Sequence, residues 1–210
     1  TTVQKFSYGM GLQIGKMAYQ QEVDLDLQAY RAGLTDGMSN AEQRVTNEEL
    51  QSVFAEQQKS VAEKAERKRE ETSSKNQKEG GEFLEANKAK EGVTVTKSGL
   101  QYKVITEGEG AKAKVTDKVK VHYKGTLIDG TEFDSSYKRG NPVEFPLSGV
   151  IKGWQEGLQL MSKGAKYELY IPSDLAYGKG GAGNIGPDAV LIFEVELIDI
   201  TDVKAEKKAK

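Results

Sequence analysis

Apolar positions change their period along this chain. Phe6, Met10, Ile14 and Met17 fall on one helical face, and Leu27, Tyr30, Leu34 and Met38 on another, so two short helices are expected before residue 40. From residue 38 to residue 79 there is neither Gly nor Pro. Thr46 and Glu49 form a capping-box pair, and Leu50, Val53, Phe54 and Val61 follow along one face, so a third helix starts at Thr46. Beyond Ala65 the stripe ends. Residues 66–79 hold no large apolar side chain and are dense in Lys, Arg and Glu, which reads as a solvated strut. Continued to Asn87, the helix would reach roughly 60 Å at ~1.5 Å per residue. Gly80 and Gly81 are its weak point, and the sequence leaves open whether the helix kinks, breaks or continues there.

Past residue 92 the period drops to two. Val119, Val121 and Tyr123 alternate with Lys118, Lys120 and His122. Tyr167, Leu169 and Ile171 alternate with Lys166, Glu168 and Tyr170, and Phe193, Val195 and Leu197 alternate with Glu194 and Glu196. These are half-buried antiparallel strands, and residues 100–105 read as a further one. Ile151, Trp154 and Leu158 fit one short amphipathic helix. The expected fold is therefore α+β: an all-α N-terminal region, then an antiparallel sheet wrapped on one short helix. The division is a helical dimerisation region over 1–45, a long linking helix over 46–91, the sheet domain over 92–200, and a flexible tail over 201–210. Dimerisation is expected because two helices this short bury too little to stand alone, and Gly11 and Gly15, on one side of the first, suit close packing of another helix.

Composition narrows the chemistry. The net charge of −2 gives no overall basic field, so nucleic acid is not an expected partner. No run of apolar residues is long enough to span a bilayer. There is no cysteine and one histidine, which excludes disulfides, thiolate nucleophiles and Cys-ligated or His-rich metal sites. No cofactor or metal is expected. Gly178, Gly180 and Gly183 match the spacing of a dinucleotide-binding loop, but a strand follows instead of a helix, so that reading is rejected. His122 lies in an alternating strand with no partner histidine and reads as structural. The chain starts at Thr1 without Met, which fits a processed export signal and also a trimmed cytosolic start.

What remains is a set of aromatics around one carboxylate: Tyr123, Phe133, Asp134, Trp154, Tyr177 and Phe193. On spacing alone this is either a hydrophobic core with two tyrosines at its rim or the lining of a pocket. Four ordered segments bear on the choice: VHYKGTLIDGTEFDSS (121–136), GVIKGWQEGL (149–158), IPSDLAYG (171–178) and LIFEVELIDI (191–200). Together they resemble the macrolide-binding immunophilins, the FKBP-type peptidyl-prolyl cis–trans isomerases, over residues 98–200. The layout of SYGMGLQIGK, a helix pair and a long charged helix resembles the dimerising arm of the bacterial Mip-like members.

The resemblance implies a pocket with Trp154 as the floor for a proline ring. Tyr123, Phe133, Val143, Val150, Ile151, Ile185 and Phe193 would be its walls, Asp134 and Tyr177 its polar rim, and Arg139 the basic neighbour of the aspartate. It implies isomerisation of Xaa-Pro bonds during protein folding, with chaperone activity through a dimeric cleft. A non-catalytic dimeric chaperone or proline-binding module is the alternative. The implied partners are partly folded proline-containing proteins, macrolide inhibitors and a second copy of the chain. The implied location is periplasmic, with a cytoplasmic one fitting the same layout.

Overall fold

The computed structural model describes residues 1–202; residues 203–210, which hold most of the expected tail, lie outside the described residues. The chain divides into two compact units, Thr1–Lys68 and Arg69–Lys210. The division falls inside a helix and not at the change of hydrophobic period near residue 92.

The first unit is helical. α1 (Thr2–Gln20) opens on a reciprocal capping box between Thr1 and Gln4. α2 (Leu27–Ser39) opens on Asp26, whose carboxylate accepts from the Gln28 and Ala29 N–H groups at 2.8 and 2.9 Å. It ends on Asn40 in the left-handed conformation. α3 (Asn47–Asn87) starts where the sequence places it: the Thr46 N–H donates to Glu49 Oε2 at 2.8 Å, and the Glu49 N–H to Thr46 Oγ1 at 3.2 Å. Lys64 and Lys68 tie the first part of α3 to Glu22. This unit has almost no core. Among its described residues Ala18 is the one buried apolar side chain, while Phe6 is 68% exposed, Tyr19 86% and Met38 83%.

The second unit holds the rest of α3 and the sheet. β1 (Val93–Val95), β2 (Gln101–Thr106), β3 (Glu109–Lys112), β4 (Lys118–Leu127), β5 (Glu132–Ser135) and β6 (Val143–Pro146) precede α4 (Lys152–Leu160). β7 (Ser162–Lys163), β8 (Lys166–Ile171) and β9 (Leu191–Thr201) follow it. Among the described residues, seven strands form one antiparallel sheet in the order β1-β2-β8-β9-β4-β5, with β6 also on β4; β3 and β7 pair separately. β9 takes in Thr201, so the strand runs one residue into the segment read as tail. Alternation holds as expected: Val119, Val121, Leu169, Val195 and Leu197 are fully buried, and so is Leu158 of α4.

One open question about α3 is answered and one expectation changes. First, the helix is continuous through Gly80 and Gly81. Gly80 is buried, and a Cβ there would lie 2.7 Å from Val190 Cγ2, so the glycine permits a close approach of helix to domain. Second, residues 69–87 are not a strut solvated on every side. Phe83 meets Tyr170 at 6.0 Å, buried Asn87 donates to Gln101 Oε1 at 3.0 Å, and Gln101 Nε2 donates to the Leu84 carbonyl at 2.9 Å. Tyr170, on the outward face of β8 by alternation, is buried beneath this helix. Burial raises its hydroxyl pKa, and the bond to Glu168 adds to the rise.

Candidate active site

The inward face of the sheet and the first turn of α4 enclose a cavity of about 640 Å³. Each of its walls comes from a different element. β4 supplies Tyr123, β5 Phe133 and Asp134, β6 Phe145, β9 Phe193 and α4 Trp154. Gly149, Val150 and Ile151 line it on the approach to α4, and Tyr177 with residues 182–185 forms the opposite rim.

Trp154 is 4% exposed and braced on several sides. Its ring meets Tyr123 at 5.1 Å and 87°, Phe193 at 5.1 Å and 79°, and Phe145 at 5.8 Å and 87°. Edge-to-face contacts of this kind are favourable, and together they fix the plane of the indole. Phe133 stands edge-on to Phe193 at 5.4 Å. Room for both rings comes from Gly125 on β4, where a Cβ would fall 2.6 Å from Phe133 and 2.8 Å from Phe193.

One charge sits in this apolar wall. The Asp134 carboxylate accepts from the Tyr123 hydroxyl and the Arg139 guanidinium, and Arg139 Nη2 also reaches the Tyr123 oxygen at 2.8 Å. Burial alone would raise the Asp134 pKa, but the bonds from Tyr123 and Arg139 outweigh it and the net shift is downward. The Tyr123 phenol moves the other way, raised by burial and by its bond to Asp134. The aspartate is therefore ionised and already occupied, and the tyrosine is neutral and donating.

The sequence-derived residues separate into three groups. Tyr123, Phe133, Asp134, Trp154, Tyr177, Phe193, Val150, Ile151 and Ile185 all line the cavity. Arg139 does not line it and is joined to it by its ion pair with Asp134. Val143 packs against the core but is not part of the wall; Phe145, two residues on and on the same face of β6, fills that place. The alternation of Val143, Glu144 and Phe145, which puts residues 143 and 145 on one face, is the signal that could have found Phe145. His122 lies outside the cavity, its Nδ1 2.9 Å from Ser136 Oγ and its ring stacked on Tyr137 at 4.6 Å.

Comparisons with known proteins agree on what this arrangement is similar to. Residues 109–198 match the pattern of the FKBP-type peptidyl-prolyl cis–trans isomerases, and residues 3–104 match the domain amino-terminal to them. The FkpA isomerase of Aeromonas hydrophila is 48% identical over 206 residues, covering 95% of this chain and 76% of its own. The outer membrane protein MIP of Legionella longbeachae is 43% identical, covering 95% and 86%. Among solved structures, Escherichia coli FkpA superposes with a TM-score of 0.76 at 38% identity, covering 96% of this chain and 97% of its own. An isomerase of Pseudomonas syringae gives 0.58 at 42% identity over 61% of this chain and 96% of its own.

Proposed function

Starting from the fact that the chain belongs to the FKBP-type peptidyl-prolyl cis–trans isomerases and is an enzyme of that class, we propose that the aromatic well floored by Trp154 is where a proline ring of an unfolded or partly folded protein docks and the preceding peptide bond turns. The observation behind this reading is the well itself: an apolar cavity braced by perpendicular rings, with one ionised carboxylate at its edge.

The chemistry asks little of such a site. Rotation about the Xaa-Pro bond has a barrier of ~18–20 kcal/mol, and no covalent bond breaks. In the twisted transition state conjugation is lost and charge separation along the amide falls. An apolar well favours that form over the planar, dipolar one, and accelerates rotation to the extent that it binds it better. Trp154 and Phe193 hold the ring still while the residue before it swings. The Asp134 carboxylate, held by Tyr123 and Arg139, polarises and shapes the wall and abstracts no proton. The Tyr177 hydroxyl and the Ile151 main-chain N–H are the donors offered to the peptide. A macrolide inhibitor would compete for the same well.

The finer points of this reading are three. The chain acts as a homodimer through residues 1–45, because α1 and α2 expose their apolar stripes and the hollow between Tyr8, Leu12 and Tyr19 opens over Gly11 and Gly15. The dimer clasps partly folded proteins as a chaperone. Its location is the periplasm, supported by a relative named as an outer membrane protein; no helix among the described residues is long and apolar enough to cross a membrane.

The test is exchange spectroscopy on a short Xaa-Pro peptide. Catalysed cis–trans exchange, suppressed by a macrolide inhibitor, is the expected result. Peptide exchange at the uncatalysed rate in the presence of folded protein would overturn the assignment of the well.

A further inference from the structure

The second half of α3 is joined to the rim of the pocket by a row of polar side chains. Arg69, Ser73, Asn76, Gln77 and Gly80 fall four, three, one and three residues apart, which puts them on one helical face. Along that face lies the loop between Tyr177 and β9, which delivers Ala182, Gly183, Asn184 and Ile185 to the cavity. Arg69 Nη2 donates to the Lys179 carbonyl at 2.9 Å, and Asn76 Nδ2 to the Pro187 carbonyl at 2.7 Å. Ser73 Oγ and Gln77 Nε2 both donate to Asp188 Oδ2, at 2.5 and 3.0 Å. The Asp188 N–H in turn donates to the Gly178 carbonyl at 2.9 Å and closes the loop at its base.

By itself the loop has little to fix its shape. Gly178, Gly181 and Gly183 all take positive φ, and the main-chain bonds across its tip, among the described residues, are the Ala182–Ile185 pair and a long one from Gly181 to Gly178. Asp188 also takes a positive φ, 54°, a conformation that Asp adopts more readily than most residues and that its surroundings hold in place. Here the surroundings are α3: Asp188 is 4% exposed, and its carboxylate is held from the helix.

We propose that Ser73, Asn76 and Gln77 are positioning residues of the isomerase. They keep the loop in the one conformation that sets Ala182 to Ile185 against the substrate, and so tune affinity and the preference for the residue before proline. The proline ring itself is seated by β4, β9 and α4, which do not depend on these bonds. This inference rests on reading the well as the isomerase site.

The experiment uses the full chain and the triple variant Ser73→Ala, Asn76→Ala, Gln77→Ala. All three sit on a helix surface where Ala is the better helix former, so the fold should persist. With short Xaa-Pro peptides, KM should rise about fivefold to tenfold, the cost of one or two net hydrogen bonds lost from the ordered rim, with kcat within about twofold. Discrimination among residues before proline should flatten. Amide exchange at Ala182 and Ile185 should quicken while that at Val119 and Val121 stays as in the parent. Ser73→Ala alone should raise KM in part, whereas Ser73→Thr alone, which keeps the hydroxyl, should leave it at the parent value.

An unchanged KM with unchanged loop exchange would overturn the proposal, since the helix would then merely rest on the loop. Exchange quickened equally across the sheet, with activity lost in step with melting temperature, would also overturn it in favour of a purely structural seam. A parent protein with no isomerase activity would instead refute the reading of the well, and the loop exchange would still report whether the helix holds the rim.

Discussion

In the proposed mechanism Asp134 takes no part as an acid or base, and its titration bears on that reading. Its carboxyl is held below the usual carboxylate range, so the contribution of its ionised form is present above about pH 4 and is lost as pH falls through its folded value. The Tyr123 phenol is raised, so its hydrogen-bonded form is complete below about pH 10 and is lost only as pH rises past that. The kcat/KM for an Xaa-Pro peptide should therefore be flat from about pH 5 to pH 9. An inflection between these limits in exchange spectroscopy would implicate a different titrating group. Phe133→Ala and Asp134→Ala should each lower the rate at least about tenfold, ~1.4 kcal/mol of transition-state binding, at matched circular dichroism. Parent-like rates in both would remove these residues from the mechanism. Most of this wall is legible in the sequence through the resemblance of four ordered segments to the isomerases; spacing alone leaves the same rings equally readable as a core. Phe145 escapes because β6 is only four residues long and gives the period little room to show. Arg139 is placed beside the aspartate by the resemblance alone, and its distance from the cavity needs coordinates.

At the scale of elements, α3 marks the limit of apolar periodicity. Its first half carries a stripe and a capping box, and both are legible in the sequence. Its second half is anchored by Ser, Asn, Gln, Arg and a glycine, residue types that a hydrophobic count treats as solvated. The two glycines test this. A Cβ at Gly81 would meet nothing within 4 Å, whereas one at Gly80 would face Val190 Cγ2 at 2.7 Å, the tip of a stiff β-branched side chain. Gly81→Ala should stabilise the chain by up to about 1 kcal/mol through helix propensity, raising the melting temperature by about 2–4 °C. Gly80→Ala gains the same propensity but forces the helix off the residues that lead into β9, so it should lower the melting temperature instead. A rise in both variants, measured by calorimetry, would show that the close approach at Gly80 is dispensable.

For the whole molecule, the question is why an enzyme whose pocket lies wholly within residues 69–210 carries 68 further residues with so little buried apolar surface. Helices that expose Phe6, Tyr8, Tyr19 and Met38 to water gain by covering them, and a second copy presents the same stripes at the same spacing. The proposed dimer would place two pockets on one assembly. A short peptide uses one of them, whereas a partly folded protein that touches both gains effective concentration for its prolines. The full chain should therefore be a dimer by light scattering, and a fragment of residues 69–210 a monomer. Because the fragment keeps Ser73, Asn76 and Gln77, it should match the full chain per pocket on short peptides. A fragment cut at residue 92, where the hydrophobic period changes, would lose that polar row and should show a raised KM. Both fragments should be weaker than the full chain in proline-limited refolding of a protein and in suppressing its aggregation. A monomeric full chain would refute the dimer. Equal refolding activity per pocket in the full chain and in the 69–210 fragment would leave the dimer standing but remove its role in catching clients.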